Sequence, residues 1–286
     1  MKLAFTDFWD GFQTDNNLFY YLIRDIKEDV ILTSPEEADC IIYTCFGQNH
    51  NRFNDKKKIF YIAEVDEKIR EKYLSFNGYD YSITVDFDTY NGRNVRIPHW
   101  MLYVDFYNIG SYNNPEYIFP KEYLIGPNKF YDIPKTKFCS TVFSSPYQVR
   151  YDIVNTLNKY KPVDCYGKIH SLKIPNGELN KMNLISEYKF NICFENTIHP
   201  GYYTEKLLQA KMSGALPLYY SDKGYVEDFN PECCLNMINF SSMEEYLEKI
   251  IEIDKDDVLY KKIIQQPLFK EMPSLDRIKN SLFNIL

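Results

Sequence analysis

The sequence has no run of about 18 apolar residues, the length that a membrane-spanning helix requires. The N-terminal segment reaches Asp7 and Asp10 too early to be a secretory signal. These absences predict a cytoplasmic protein without a transmembrane helix, and they leave peripheral attachment to a membrane open. An excess of positive charge is also missing. The net charge is −7, which argues against a nucleic-acid partner.

The sequence also lacks a cysteine pattern that is typical of a disulfide framework or of a zinc site. The chain has seven cysteines, an odd number, and most lie in apolar, strand-like segments. This pattern favours reduced thiols in a protein core over a disulfide framework. The adjacent Cys233 and Cys234 have no CxxC or HxxxH partner, so they do not form a zinc motif. The sequence therefore predicts no metal site.

What the chain does contain is typical of a globular protein. Its hydrophobic fraction is 45% and its charged fraction 26%, and 286 residues suggest about two domains. In the first half, apolar segments at 3–5, 59–62 and 79–85 predict strands, the residues 16–26 predict a helix, and Thr33–Glu36 predict another helix start. Strands that alternate with helices indicate a mostly parallel sheet covered on both faces.

Four prolines interrupt this alternation between residues 107 and 137, which is typical of a connection between domains. A second alternation of strands and helices begins at residue 138. We therefore predict an N-terminal α/β domain with its connection over 1–134 and a C-terminal α/β domain over 135–270. An amphipathic helix over 271–286 is expected to pack across the two domains.

One stretch, from Lys189 to Tyr220, combines several features of an anion-binding site. An apolar strand delivers Glu195 and Asn196 to its end, and a helix then opens with Glu205 and Lys206 in its first turn. The amides of a helix start attract anions, most often phosphate, and Lys206 adds a positive charge. The Glu205 carboxylate would repel a phosphate, so it is expected to bind sugar hydroxyls instead. The alternative, a helix-start acid beside a solvated lysine, stays open on these residues alone.

These residues also carry a resemblance. The runs FEN, GYYTEK and ALPLYY resemble the signature of the α-1,3-fucosyltransferases of glycosyltransferase family 10. Phe138–Arg150 resembles the strand, loop and helix that open the family's donor domain, and Phe60–Glu64 resembles a strand that ends in a catalytic glutamate. The chain departs at Tyr220 and Ser221, where tryptophan and glycine are usual. The resemblance implies an α/β fold of two Rossmann-like domains facing a central cleft, the GT-B type.

The resemblance also implies a reaction. Fucose from GDP-β-L-fucose would pass, with inversion, to a hydroxyl of N-acetylglucosamine in an N-acetyllactosamine or Lewis-type glycan, most simply in α-1,3 linkage and without a metal or other cofactor. Glu64 would be the base, and Arg150 and Lys206 would hold the diphosphate. Donor binding is further assigned to Ser144, Glu195, Asn196, Tyr202 and Glu205. For Glu195 a role as a helix cap stays open, as does an ordinary helix start for Ser144.

Three other functions remain open at this stage. A metal-dependent GT-A glycosyltransferase would use Asp86 and Asp88, which form a DxD triplet. The same mechanism could serve another GDP-sugar, because Tyr220 and Ser221 alter the family pattern. Finally, the fold could belong to a sugar-binding protein that has lost catalysis.

Overall fold

The computed structural model divides the chain into two compact units, each of which contains its own parallel sheet. Unit 1 comprises Met1–Pro120 and Pro273–Leu286, and unit 2 comprises Lys121–Met272. The structure describes residues 1–65, 70, 78–167, 172–175, 177 and 180–286. Two α/β units with parallel sheets agree with the fold class that the sequence predicts.

Unit 1 is built on a six-stranded parallel sheet. Its strands are β1 (Lys2–Thr6), β2 (Ile31–Leu32), β3 (Cys40–Tyr43), β4 (Lys57–Ile62), β5 (Tyr81–Thr84) and β6 (Asn94–Arg96). Their order in the sheet is β2-β1-β3-β4-β5-β6. A separate parallel pair joins β7 (Val104–Asp105) and β8 (Phe119–Pro120). The central strands β3 and β4 are buried almost throughout, because helices and loops cover both faces of a parallel sheet.

The helices of unit 1 follow the apolar spacing of the sequence. Helix α1 (Leu18–Ile26) begins at Asn17, whose side chain accepts a hydrogen bond from the Tyr20 amide, and it buries Leu18, Phe19, Leu22 and Ile23. The predicted helix at Thr33–Glu36 is wrong: the segment is a turn closed by the Glu37 amide on the Ser34 carbonyl. Both ends of the segment are bound to β1 instead, because the Thr33 amide donates to the Leu3 carbonyl and the Asp39 amide donates to the Lys2 carbonyl.

Unit 2 has a five-stranded parallel sheet. Its strands are β9 (Lys137–Val142), β10 (Val163–Tyr166), β11 (Tyr188–Ile192), β12 (Leu216–Tyr219) and β13 (Leu235–Asn236), and its helices are α2 (Gln148–Leu157), α3 (Lys181–Ser186), α4 (Glu205–Met212), α5 (Met243–Lys255) and α6 (Asp257–Ile264). The order in the sheet is β10-β9-β11-β12-β13. Its core joins Phe190, Leu216 and Leu218 of the sheet to Ile250 and Ile253 of α5.

The strand order of unit 2 determines where a ligand would bind. The chain first leaves β9 toward β10, and it returns on the other side of β9 to form β11. The loops that leave β9 and β11 therefore diverge at their carboxyl ends and open a crevice. In open parallel sheets, ligands bind at such a switch point.

The boundary between the units lies earlier in the chain than the predicted residue 134. Residues after Pro120 already pack in unit 2, where the Phe269 amide donates to the Leu124 carbonyl at 3.0 Å and the Asn128 side chain donates to the Met212 carbonyl at 3.0 Å. These two bonds are the physical reason for the difference. The last helix, α7 (Asp276–Ile285), packs on α1 and β6 within unit 1.

The structure also bears on the cysteines and on membrane-spanning helices. All seven cysteines are free thiols, and five of them are buried. Within the described parts of the chain, every helix is too short or too polar to span a bilayer.

Candidate functional site

Arg150 ties together the two loops at the switch point of unit 2. It lies in the first turn of α2, after β9, and is 2% exposed. Its Nη2 donates to the Phe194 carbonyl at 2.7 Å and to the Asn196 Oδ1 at 2.7 Å, and its Nη1 donates to the Ser145 carbonyl at 3.3 Å. One guanidinium therefore bridges the ends of β9 and β11, because its planar fork offers donors in several directions.

The surroundings of Arg150 are aromatic as well as polar. The rings of Phe143 and Tyr147 lie 5.1 and 5.3 Å from its guanidinium carbon. Burial lowers the pKa of Arg150, against the opposing effect of the Glu195 carboxylate, but a guanidinium stays charged at neutral pH. Ser144 is exposed in the same loop. The site therefore holds a buried positive charge in a fixed position.

Replacement of Arg150 by lysine is expected to destabilise unit 2. A single ammonium cannot reproduce the fork that reaches both loops, and a hydrogen bond from a charged group is worth about 1.5–3 kcal/mol. We expect the free energy of unfolding to fall by about 2 kcal/mol, measured by urea denaturation. The exposed Arg277 provides the control, since Arg277→Lys should change that free energy little. Equal effects of the two substitutions would contradict the bridging role.

Glu195 lies between Phe194 and Asn196, the two residues to which Arg150 donates, and the hydrogen bonds of its side chain are made to residues of unit 2. Its side chain is fully buried. Oε1 accepts from the Thr204 amide at 2.9 Å and from the Tyr219 hydroxyl at 3.0 Å, while Oε2 accepts from the Thr204 hydroxyl at 2.7 Å and from Lys206 Nζ at 3.2 Å. The carboxylate thus joins the end of β11 to β12 and to the start of α4. This placement agrees with the alternative in which Glu195 caps a neighbouring helix, because its carboxylate accepts from the Thr204 amide at the start of α4.

Lys206 extends the same network. Its ammonium donates to the Thr204 hydroxyl at 2.8 Å and to Glu195, and it lies 3.6 Å from the Glu205 carboxylate. Burial acts to lower the pKa of Lys206, but the Glu205 and Glu195 carboxylates outweigh it and raise that pKa. Lys206 and Arg150 line one cavity together with Phe194. The two predicted cations are therefore neighbours.

The structure corrects one part of the anion-binding prediction. The Thr204 amide, at the start of α4, is occupied by Glu195, so this amide is not available to an external phosphate. The reason is that β11 ends next to the first residues of α4. The Glu195 carboxylate, which follows β11, therefore lies at the N-terminus of that helix, where the helix dipole stabilises a negative charge. Sequence reasoning also missed Thr204 and Tyr219 as members of the site. The sequence does contain a signal for Thr204, because threonine is a typical N-cap residue and Thr204 directly precedes Glu205, the first residue of α4.

The remaining predicted donor residues lie around these groups. Asn196 is half-buried and accepts a hydrogen bond from Arg150, and Tyr202 is 5% exposed. The departures from the family pattern also lie here. The Tyr220 ring packs at 5.3 Å from the Phe194 ring, and Ser221 is buried with its amide donating to Asn236.

Glu64 lies in unit 1, two residues after the end of β4, and its side chain is exposed. Burial, followed by the charge of the Glu64 carboxylate, raises the pKa of Tyr61. The Tyr61 hydroxyl is buried without a hydrogen-bond partner among the residues that the structure describes. Glu64 therefore lies at the carboxyl edge of the unit 1 sheet, where its charge acts on Tyr61.

Asp86 and Asp88 have protein partners of their own. Asp86 forms an ion pair with Arg70 at 2.6 Å and accepts from the Tyr90 hydroxyl at 2.7 Å. Asp88 accepts from the Tyr90 amide at 2.7 Å. Both aspartates belong to unit 1, whereas the cations of the switch point belong to unit 2. The Asp86 carboxylate is therefore already paired with a cation of the protein.

Comparisons with known proteins agree with this description. The family described as "Glycosyltransferase family 10 (fucosyltransferase) C-term" matches residues 134–266, and "Alpha-(1,3)-fucosyltransferase FucT N-terminal domain" matches residues 3–103. The chain is 26% identical over 281 residues to the α-(1,3)-fucosyltransferase FucT of Helicobacter pylori, covering 87% of this chain and 56% of that protein. The chain thus spans about half the length of this curated relative.

Two further similarities are informative. The human 4-galactosyl-N-acetylglucosaminide 3-α-L-fucosyltransferase FUT6 is 31% identical over 118 residues, which are 40% of this chain and 32% of that protein. A crystal structure of an α1,3-fucosyltransferase with GDP-fucose superposes with a TM-score of 0.71 at 22% identity, covering 99% of this chain and 89% of the other. The second similarity identifies the fold as that of the GT-B glycosyltransferases.

Proposed function

Because the chain belongs to glycosyltransferase family 10, we propose that it transfers L-fucose from GDP-β-L-fucose to a glycan hydroxyl, with inversion and without a metal ion. The acceptor is N-acetylglucosamine in an N-acetyllactosamine or Lewis-type glycan, and the linkage is α-1,3. The names of the H. pylori and human relatives and the GDP-fucose bound to the superposed structure support this choice.

One observation of unit 2 carries the proposal. Arg150 and Lys206 line the same cavity at the carboxyl ends of β9 and β11, where a parallel sheet binds its ligand. Departure of GDP places negative charge on the β-phosphate, and preorganised cations stabilise that charge as it forms. Asn196 and Glu205 supply an amide and a carboxylate beside the two cations, which suit the hydroxyls of a sugar.

The proposed reaction is a single displacement. The acceptor hydroxyl loses its proton to the Glu64 carboxylate, its oxygen bonds to the anomeric carbon, and the bond to the β-phosphate oxygen breaks. The electron pair leaves with GDP. The transition state resembles an oxocarbenium ion, as in glycoside hydrolysis. Glu64 supports this role because it is an exposed carboxylate at the end of a strand.

A transfer assay tests the proposal. Wild-type protein, GDP-fucose and N-acetyllactosamine should yield GDP and an α-1,3-fucosylated product, identified by linkage analysis. Activity should persist in EDTA, because two side-chain cations hold the diphosphate. Loss of activity in EDTA with recovery in manganese would revive the alternative that uses Asp86 and Asp88.

The other two alternatives have distinct outcomes in the same assay. If the protein binds GDP but transfers sugar to none of the acceptors, the function is that of a binding protein. Competition between GDP-fucose and GDP-mannose identifies the donor, since Tyr220 and Ser221 depart from the family pattern. Stronger binding of GDP-mannose would contradict the choice of fucose.

A further inference from the structure

We propose that Glu195 is a positioning residue that fixes the Lys206 ammonium, and that it does not touch the donor sugar. This inference rests on the proposed function and deepens it, because it separates one acid of the FEN motif from the residues that bind the substrate. It also replaces the sequence-based assignment of Glu195 to donor binding.

The capacity of the Glu195 carboxylate is the first argument. Its two oxygens accept four hydrogen bonds, from the Thr204 amide and hydroxyl, the Tyr219 hydroxyl and Lys206 Nζ. Two carboxylate oxygens offer about four lone-pair sites, so this set uses them all. The side chain is also fully buried. A sugar hydroxyl could reach Glu195 only by displacing one of these buried donors, which would leave that donor unsatisfied.

The geometry around Lys206 is the second argument. Glu195 Oε2 accepts from both the Thr204 hydroxyl and Lys206 Nζ, and Thr204 in turn accepts from Lys206. Three atoms therefore hold one another in a closed ring. A lysine side chain has a long, flexible stem and can adopt many conformations. The ring restricts these conformations and thereby fixes the position of the ammonium. Tyr219 holds the opposite oxygen of the carboxylate from β12.

Charge is the third argument. The ionisable groups that act on Lys206 are Glu205, Glu195 and Arg150, and the first two raise its pKa while Arg150 opposes them. Cys193 and Tyr219 also lie close to Glu195. Lys206 can stabilise a departing diphosphate only while it is protonated, so activity falls as the pH rises through its pKa. Loss of the Glu195 charge lowers that pKa and moves this alkaline limit to lower pH.

The test compares Glu195→Gln with Asp254→Asn. Asp254 provides a matched control because it is also a buried carboxylate, 5% exposed, bonded to a tyrosine hydroxyl and to lysines: Tyr160 at 2.8 Å, Lys161 at 2.5 Å and Lys189 at 3.4 Å. Both substitutions should lower the melting temperature. Only Glu195→Gln should shift the alkaline limb of the pH profile of kcat to lower pH, with kcat reduced on the order of a hundredfold by misplacement of Lys206.

Binding measurements separate positioning from direct contact. Calorimetric titration of each variant with GDP and with GDP-fucose should show that Glu195→Gln weakens both by the same factor, because Lys206 acts on the diphosphate that the two share. Weaker binding of GDP-fucose with unchanged binding of GDP would mean that Glu195 touches the sugar, and would overturn the proposal. An unshifted alkaline limb in folded Glu195→Gln would overturn it as well.

A second variant covers the case in which Glu195→Gln does not fold. Thr204→Val keeps the buried charge but breaks the ring at its hydroxyl, and it should likewise weaken GDP and GDP-fucose equally. Unchanged GDP binding in folded Thr204→Val would contradict the ring. If the wild type binds neither nucleotide, the proposed function itself fails, and this outcome differs from every outcome that concerns Glu195.

Discussion

Replacement of Lys206 by alanine is expected to lower kcat for fucosyl transfer by about 100- to 1000-fold, the usual effect of removing one preorganised group from a developing charge. The ammonium is held by Glu195 and Thr204 in the folded protein, so the charge is in place before the reaction starts. Initial rates of GDP release at saturating donor and acceptor measure the effect.

Controls are needed because Lys206→Ala also removes a partner of the buried Glu195 carboxylate. Breaking a buried ion pair costs about 3–5 kcal/mol of stability, so rates are to be measured below the melting temperature of the variant. Lys206→Arg keeps a cation and should retain measurable transfer. Lys159→Ala removes an exposed lysine of unit 2 and should change neither rate nor stability. Wild-type kinetics in Lys206→Ala would refute the diphosphate clamp.

Replacement of Glu64 by glutamine is expected to lower kcat by about 100- to 10,000-fold, the range that general-base catalysis contributes. Glutamine has nearly the same shape but cannot take the acceptor proton. Since the diphosphate cations belong to unit 2 and Glu64 to unit 1, the affinity for GDP should stay that of the wild type. Transfer kinetics and GDP titration together check the two halves of this expectation.

Glu116 provides the comparison for Glu64, because it is an exposed acid of the same unit. Glu116→Gln should leave the transfer rate unchanged. Normal turnover in Glu64→Gln would remove Glu64 from the mechanism, while a parallel loss of GDP binding would indicate that the substitution acts on the fold of the protein and not on the proton.

The sequence predicted the strand before Glu195 and the helix after it correctly because their signals are local. The apolar run before Glu195 forms β11, and the helix predicted to open with Glu205 and Lys206 is α4, Glu205–Met212. The helix predicted at Thr33–Glu36 is wrong because its start signal was also local, whereas the Thr33 and Asp39 amides donate to carbonyls of β1, which is distant in the chain. Local patterns report what a segment can form, and hydrogen bonds to distant strands decide whether it does.

The sequence by itself therefore determined which charged residues stand after a strand or in the first turn of a helix, because the apolar runs and turns that place them are contiguous. Glu64 and Glu195 follow strands, and Arg150 and Lys206 lie in first helical turns. Only the tertiary structure decided what those side chains contact. Arg150 of α2 donates to Phe194 and Asn196 in the loop after β11, and the buried Glu195 accepts from Tyr219 of β12. The physical reason is that the lateral order of the strands depends on packing between segments that are distant in the chain.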